Sequence, residues 1–206
     1  MNKIRIVETF RSIQGEGRYA GVPMFFVRFS GCSRDCNFCD SEFHKEGKLV
    51  LVDKLIDSIG HYRFRGDVCL TGGEPLLQRQ EMNQIINHFV NEMYFHLETN
   101  GDFLQEEDRC QFRYIAISPK DVVTAQMVRK LTRLWHVDKY DIKVVTDLAS
   151  VGKELIPYAT MLMPLTIGEE KIDSSIRRQV WQYCIDHKLR YSPRLHYEIW
   201  GKKRGV

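Results

Sequence analysis

The sequence of 206 residues contains no apolar run that approaches the length of a membrane span, which excludes a transmembrane helix from the expected architecture. Its opening decapeptide, MNKIRIVETF, mixes charges and has no long apolar core, so no signal peptide is expected. The formal net charge is only +3. That balance permits an anionic ligand and does not by itself argue for nucleic acid as a partner. No internal repeat, low-complexity tract or linker interrupts the chain, and a single domain over residues 1–206 is expected. With neither leader nor span, a soluble, cytoplasmic protein is the default. Cysteine is sparse, at six residues, and reducing conditions favour metal ligation over disulfides.

Three of those cysteines, Cys32, Cys36 and Cys39, crowd into GCSRDCNFCDSEFH with the spacing C-x3-C-x2-C. A [4Fe–4S] cluster is commonly held by four thiolates. Three would hold three irons and leave the fourth open to a substrate, as the open position of a catalytic zinc takes water. The rival reading is structural zinc, with His44 completing a Cys3His site. A lone zinc knuckle usually belongs to a small domain that needs its metal to fold, whereas this chain has apolar material for a core of its own. Cys69, Cys110 and Cys184 are scattered and read as small apolar fillers or surface thiols.

Apolar, β-branched and aromatic runs predict strands over 24–31, 67–72, 94–100, 114–118, 140–145 and 159–164. Between them, amphipathic stretches predict helices over 50–62, 76–93, 121–135 and 174–187. The alternation argues for an α/β fold with a parallel sheet and crossover helices. Six strands point to a barrel or part of one, with polar motifs gathered at the carboxyl ends of the strands. A doubly wound open sheet would make a similar edge, so both architectures remain open at this point.

Further segments along the chain are candidates for chemistry. Thr71-Gly72-Gly73-Glu74-Pro75 follows an apolar strand, and its glycines would let backbone approach a ligand; a tight turn before a helix is the plainer alternative. Ile13-Gln14-Gly15-Glu16-Gly17 offers donors and acceptors suited to a flat heterocycle, or is a solvent-exposed loop. Arg28 interrupts an apolar strand. Alternation puts it on one face with Met24, Phe26 and Ser30, where it needs an anionic partner: either a structural carboxylate or that of a substrate. Ser118-Pro119-Lys120 ends the fourth strand and would hold a polar cofactor tail or make a plain turn. The basic, aromatic SPRLHYEIWGKKRGV is a solvated tail, or packs His196 and Trp200 over the site. On the third strand, His96 reads as a partner in a core hydrogen bond and Glu98 as a weaker candidate than Glu16.

Together these motifs resemble the radical S-adenosylmethionine superfamily and, more narrowly, its 7-carboxy-7-deazaguanine synthase family. SIQGEGRYAGVPMFFVRFSGCSRDCNFCDS is the most specific part, and TGGEP, ETNG, ISPK and SPRLH with WGKKRG fit it. The resemblance implies a partial, modified (β/α) barrel, a homodimer, and a lyase reaction converting 6-carboxy-5,6,7,8-tetrahydropterin to 7-carboxy-7-deazaguanine with loss of ammonia. It implies that Cys32, Cys36 and Cys39 bind a [4Fe–4S] cluster, whose fourth iron takes S-adenosylmethionine. Phe38, Asp40, Gly72, Gly73, Glu74, Ser118, Pro119 and Lys120 would contact that cofactor. Ile13, Gln14, Gly15, Glu16, Arg28 and Thr71 would hold the substrate. A magnesium ligand in the family is a threonine two residues past the last cysteine; here that position is Ser41, which keeps the oxygen but lacks the methyl that restricts its rotamer. An electron donor such as a flavodoxin or ferredoxin is also implied. Neither a membrane nor a nucleic acid is expected as a direct partner.

Overall fold

The computed structural model describes residues 2–37, 39, 45–61 and 66–206. Among them one sheet carries nine strands: β1 (Lys3–Ile13), β2 (Pro23–Phe29), β3 (Lys48–Leu51), β4 (Asp67–Gly72), β5 (Tyr94–Thr99), β6 (Tyr114–Ile117), β7 (Tyr140–Thr146), β8 (Met161–Pro164) and β9 (Arg190–Tyr191). The helices are α1 (Val52–Gly60), α2 (Arg79–His88), α3 (Asp108–Gln111), α4 (Val122–Leu131), α5 (Glu170–His187) and α6 (Leu195–Trp200), with short 3-10 turns between elements. Among the described residues no helix is long and apolar enough to cross a membrane.

The strand order is β3-β1-β2-β4-β5-β6-β7-β8-β9. β1 runs antiparallel to β2 and β3; from β2 onward every pairing is parallel. A doubly wound sheet reverses its order at a switch point and carries helices on both faces. Here the parallel strands follow one another in chain order and the helices cover one face. The fold is therefore a partial (β/α) barrel, open between β3 and β9.

Period-two alternation creates the two faces. Phe25, Val27 and Phe29 of β2, Val68 and Leu70 of β4, Phe95 and Leu97 of β5, and Ile115 and Ile117 of β6 point outward. They pack against Val52, Leu55 and Ile59 of α1 and Met82, Ile85 and Ile86 of α2. Val144 and Leu162 continue this layer against Ala125 of α4 and Val180 and Cys184 of α5. The alternate residues line the inner face: Met24, Phe26 and Arg28, then Cys69 and Thr71, His96 and Glu98, Tyr114, and Asp141 and Lys143. Met24, Phe26 and Cys69 form an apolar patch on that face, while Arg28, Thr71, His96, Glu98, Asp141 and Lys143 bring polar and charged groups to it.

The elements depart from the expected spans where local rules break. β1 was not expected as a strand, because a register shift between Ile6 and Glu8 ends its alternation and Glu8 and Arg11 follow. The apolar residues Val50 and Leu51 end β3 rather than begin a helix, so α1 starts at Val52, and Tyr62 at the end of the expected helix lies outside the described residues. The expected helix 76–93 divides into a 3-10 turn and α2, which stops at His88. α4 begins where Asp121 accepts a bond from Thr124 N at 2.7 Å and ends in a 3-10 turn before Trp135. α5 is a turn longer than expected at its start.

Candidate active site

Two motifs meet backbone to backbone at the carboxyl edge. Gly73 N donates to Phe29 O at 3.1 Å, and Glu74 N donates to Gly31 O at 2.8 Å. A Cβ at Gly73 would lie 1.9 Å from Gly31 O and 3.3 Å from Cys32 Cβ. Gly72, at φ +122°, would press a Cβ to 2.3 Å from Phe29 O. The glycines thus bring the end of β4 against the start of the cysteine loop.

Glu74 joins a third motif to these two. Its fully buried carboxylate accepts from Leu76 N at 3.0 Å, Thr99 Oγ1 at 2.9 Å and Asn100 N at 2.7 Å. Burial pushes this carboxyl up to about 7, against those hydrogen bonds. Its side chain is committed to protein groups, so any role toward a cofactor falls to the backbone. The fourth motif arrives through Ser118 N, which donates to Thr99 O at 2.8 Å. Pro119 and Lys120 then line a cavity of about 30 Å³.

Cys32, Cys36 and Cys39 are half-buried and none is joined in a disulfide; Cys39 N donates to Cys36 O at 3.0 Å. Burial raises the Cys36 thiol above its ordinary value; the Lys120 ammonium opposes this and the neighbouring Cys32 adds to it. Among the described residues no three His, Cys, Asp or Glu side chains converge tightly enough to chelate a single ion. Three unoxidised thiols on one loop, beside a cation, are the donor set an iron–sulfur cluster takes, and the chemistry fits that group. Phe38, Asp40, Ser41 and His44 lie outside the described residues, so the cofactor contacts expected of Phe38 and Asp40, the magnesium ligand and the zinc alternative lie there too. Cys69 and Cys184 are buried fillers and Cys110 is exposed.

The Gln14–Glu16 motif comes from the opposite end. Because β1 is antiparallel to β2, the loop joining them sits at the amino ends of the parallel strands. Arg18 ties it to the start of β7, donating to Val137 O and Asp138 at 2.7 Å and to Asp141 at 3.0 Å. From there Gln14 Nε2 reaches Glu98 Oε1 at 3.1 Å, and Thr71 Oγ1 donates to the other Glu98 oxygen at 3.1 Å. Glu16 accepts from Lys143 Nζ at 2.6 Å and Arg194 Nε at 3.3 Å, with His196 Nε2 at 3.8 Å. Burial alone would raise the Glu16 carboxyl, but these cations hold it well below the usual carboxylate range.

The carboxyl-terminal segment closes over the same loop. Leu195 N donates to Gly15 O at 3.0 Å, and Gly17 N donates to Ser192 Oγ at 2.8 Å. A Cβ at Gly15 would meet His196 Nδ1 at 2.2 Å. His196 therefore packs onto the site, whereas Trp200 is 51% exposed. Ile13 is 52% exposed at the end of β1 and does not join the group. Arg28 donates from Nε to Glu8 at 3.0 Å and lies over the Phe10 ring at 5.4 Å, so it has the structural carboxylate partner. His96 bonds Asp67 at 2.6 Å, as a core histidine does.

Sequence reasoning missed Lys143 and Arg194 and underweighted Glu98. Lys143 had a usable signal, a cation in the apolar run YDIKVV, the same pattern that singled out Arg28. Arg194 had none.

Comparison with known proteins agrees with this geometry. The sequence model of the radical SAM superfamily matches residues 26–176, most of the barrel, and the chain is a radical SAM protein by that measure. It is 32% identical to the 7-carboxy-7-deazaguanine synthase of Hyperthermus butylicus, over 94% of this chain and 91% of that protein. It is 37% identical to that of Bacteroides thetaiotaomicron, over 90% and 96% respectively. The chain belongs to the 7-carboxy-7-deazaguanine synthase family. In fold it is similar to the crystal structure of QueE from Escherichia coli, with a TM-score of 0.58 at 18% identity, covering 94% of this chain and 95% of that one.

Proposed function

We propose that the chain is a radical SAM lyase that converts 6-carboxy-5,6,7,8-tetrahydropterin to 7-carboxy-7-deazaguanine with loss of ammonia, a step of queuosine-type 7-deazapurine biosynthesis. The observation that carries this reading is its likeness to synthases of that name in Hyperthermus butylicus and Bacteroides thetaiotaomicron, over at least 90% of each pair of chains. The arrangement of the barrel supports it: a polar inner face lies between a three-cysteine loop at one end and the Gln14–Glu16 loop at the other.

Cys32, Cys36 and Cys39 hold the [4Fe–4S] cluster, and the backbone of Gly72, Gly73 and Glu74 with Ser118, Pro119 and Lys120 seats S-adenosylmethionine. Bound together, these groups supply the one-electron chemistry that starts ring contraction. The protein's own residues bind and orient the pterin. Glu16, kept ionised by Lys143 and Arg194, accepts from the amine and amide N–H edge of the ring. Gln14 and Thr71, both fixed by Glu98, present a second polar edge. Arg28 attracts the substrate carboxylate, in exchange with Glu8. A magnesium ion on Ser41, an electron donor of the flavodoxin or ferredoxin type, a homodimer built from one domain per chain, and a cytoplasmic location belong to the same reading.

The test is anaerobic turnover of the reconstituted protein with the carboxypterin, followed by mass analysis. The expected product is lighter than the substrate by one ammonia. A preparation that cleaves S-adenosylmethionine yet forms no deazaguanine would exclude this substrate, and a protein carrying zinc without iron or sulfide would exclude radical chemistry.

A further inference from the structure

Between the first two cysteines lie Ser33, Arg34 and Asp35, and two of these side chains reach out to neighbouring loops. The Arg34 guanidinium grips Asp102 with two parallel bonds, Nε to Oδ2 at 2.7 Å and Nη2 to Oδ1 at 2.6 Å. Its Nη1 donates to Asp121 Oδ2 at 2.5 Å, and Nη2 also donates to Thr124 Oγ1 at 2.9 Å. Asp102 belongs to the turn after β5. Asp121 caps the start of α4, and Thr124 lies in that helix's first turn. One side chain of the cysteine loop thus joins three elements in the planar fork geometry that lysine cannot reproduce.

Around this grip runs a chain of bonds that ends on sulfur. Ser33 Oγ donates to Asp102 Oδ2 at 2.7 Å and accepts from Asn100 Nδ2 at 2.9 Å. Asn100 Nδ2 also approaches Cys32 Sγ at 3.9 Å, and Arg34 N donates to the same sulfur at 3.4 Å. Asp102 N in turn donates to Asn100 Oδ1 at 2.9 Å, which orients the amide. Two N–H groups held by one network therefore face Cys32 Sγ, and hydrogen bonds to cluster sulfurs tune such sites.

We propose that Arg34 is a positioning residue for the iron–sulfur cluster: gripping Asp102 and Asp121, it holds the cysteine loop in its ligating shape before the metal arrives and aims N–H donors at Cys32. The proposal rests on the reading that this loop binds a cluster. The physical basis is preorganisation. A loop that samples many shapes is competent only for a fraction of the time, and apparent affinity falls by that fraction. Losing such a supporting partner typically costs about 10- to 100-fold in metal affinity.

The test uses the full chain, apo and reconstituted anaerobically, as wild type, Arg34→Gln, Arg34→Lys, Asp102→Asn and the double variant Arg34→Gln/Asp102→Asn. Iron and sulfide per chain, the rate of iron loss to a ferrous chelator, and the melting temperature of the apo protein are measured. Arg34→Gln is expected to lose iron about 10- to 100-fold faster than wild type, with Arg34→Lys between them. The double variant should be no worse than the worse single, because both changes break one unit. Iron loss within twofold of wild type in the single variants overturns the proposal. So does a lowered apo melting temperature with unchanged iron loss, which would make Arg34 a brace of the fold only. If Arg34→Gln fails to fold, Arg34→Lys and Asp102→Asn decide the matter by the same criterion. A wild-type protein that takes up no iron and sulfide overturns the cluster reading itself, a result distinguishable from failure of the clamp.

Discussion

Replacing Lys143 with Met removes a cation from a buried pair while keeping most of the aliphatic stem. Lys143 and Glu16 meet at 2.6 Å with side-chain exposures of 5% and 11%. Breaking such a pair from one side costs about 3–5 kcal/mol, because the remaining charge stays buried. Arg194 at 3.3 Å and His196 at 3.8 Å still face Glu16, so the lower end, about 3 kcal/mol, is expected. That is roughly a 150-fold shift toward the unfolded chain, within the 5–15 kcal/mol a domain of this kind has. Lys143→Met should therefore fold but unfold at lower urea, with an unchanged slope. Adding Glu16→Gln should recover much of the loss, giving a coupling of about 2 kcal/mol in a double-mutant cycle. The pH dependence supplies a second check. The folded carboxyl lies below its ordinary value of 4.5, so the pair's contribution is complete above pH 4.5 and is lost as pH falls below it. The deficit of Lys143→Met should shrink on acidification. A coupling energy below about 0.5 kcal/mol, or a deficit independent of pH between 7 and 3, would refute the reasoning. In turnover the same variant should raise KM more than it lowers kcat if Glu16 binds the pterin as proposed, because it misplaces that carboxylate.

Other consequences are equally direct. Glu74 has a folded value raised to about 7 from 4.5, so its contribution is present below pH 4.5 and lost as pH rises through 7; Glu74→Gln should flatten that slope and lower stability by about 1–3 kcal/mol through lost acceptor bonds, as urea titrations across this range would show. Gly73→Ala forces a Cβ to 1.9 Å from Gly31 O, so its apo melting temperature should drop by several degrees and cluster loading should fail. Cys36→Ala should reconstitute with markedly less iron and sulfide while keeping the wild-type apo melting temperature, measured by metal analysis and calorimetry. Arg28→Ala leaves Glu8 without its partner at 3.0 Å and should cost about 1–2 kcal/mol; in calorimetric titration it should also weaken carboxypterin binding at least tenfold, and normal binding would remove Arg28 from the site.

The parallel strands and the convergence of the cysteine loop, TGGEP, ETNG and SPK on one edge were readable in order, because each strand is a short apolar run that ends in glycine, proline or polar residues. The cysteine spacing was readable because its ligands are local in sequence. Glu74 looked like part of a ligand-binding turn, yet folding commits its carboxylate to Thr99 and Asn100 on the next strand. β1 was hidden because a bulge breaks the period on which strand recognition depends.

Sequence by itself determined the alternation of strand and helix, the two faces of β2, and the presence of three thiols one ligand short of a closed cluster, since each depends on residues close together in the chain. Tertiary structure alone decided that the sheet stays in chain order with helices on one face, that Lys143 and Arg194 meet Glu16 from 127 and 178 residues away, and that Arg34 closes on Asp102 and Asp121. Ion pairs and hydrogen bonds act over a few ångströms of space, and only the folded chain determines which side chains come that near.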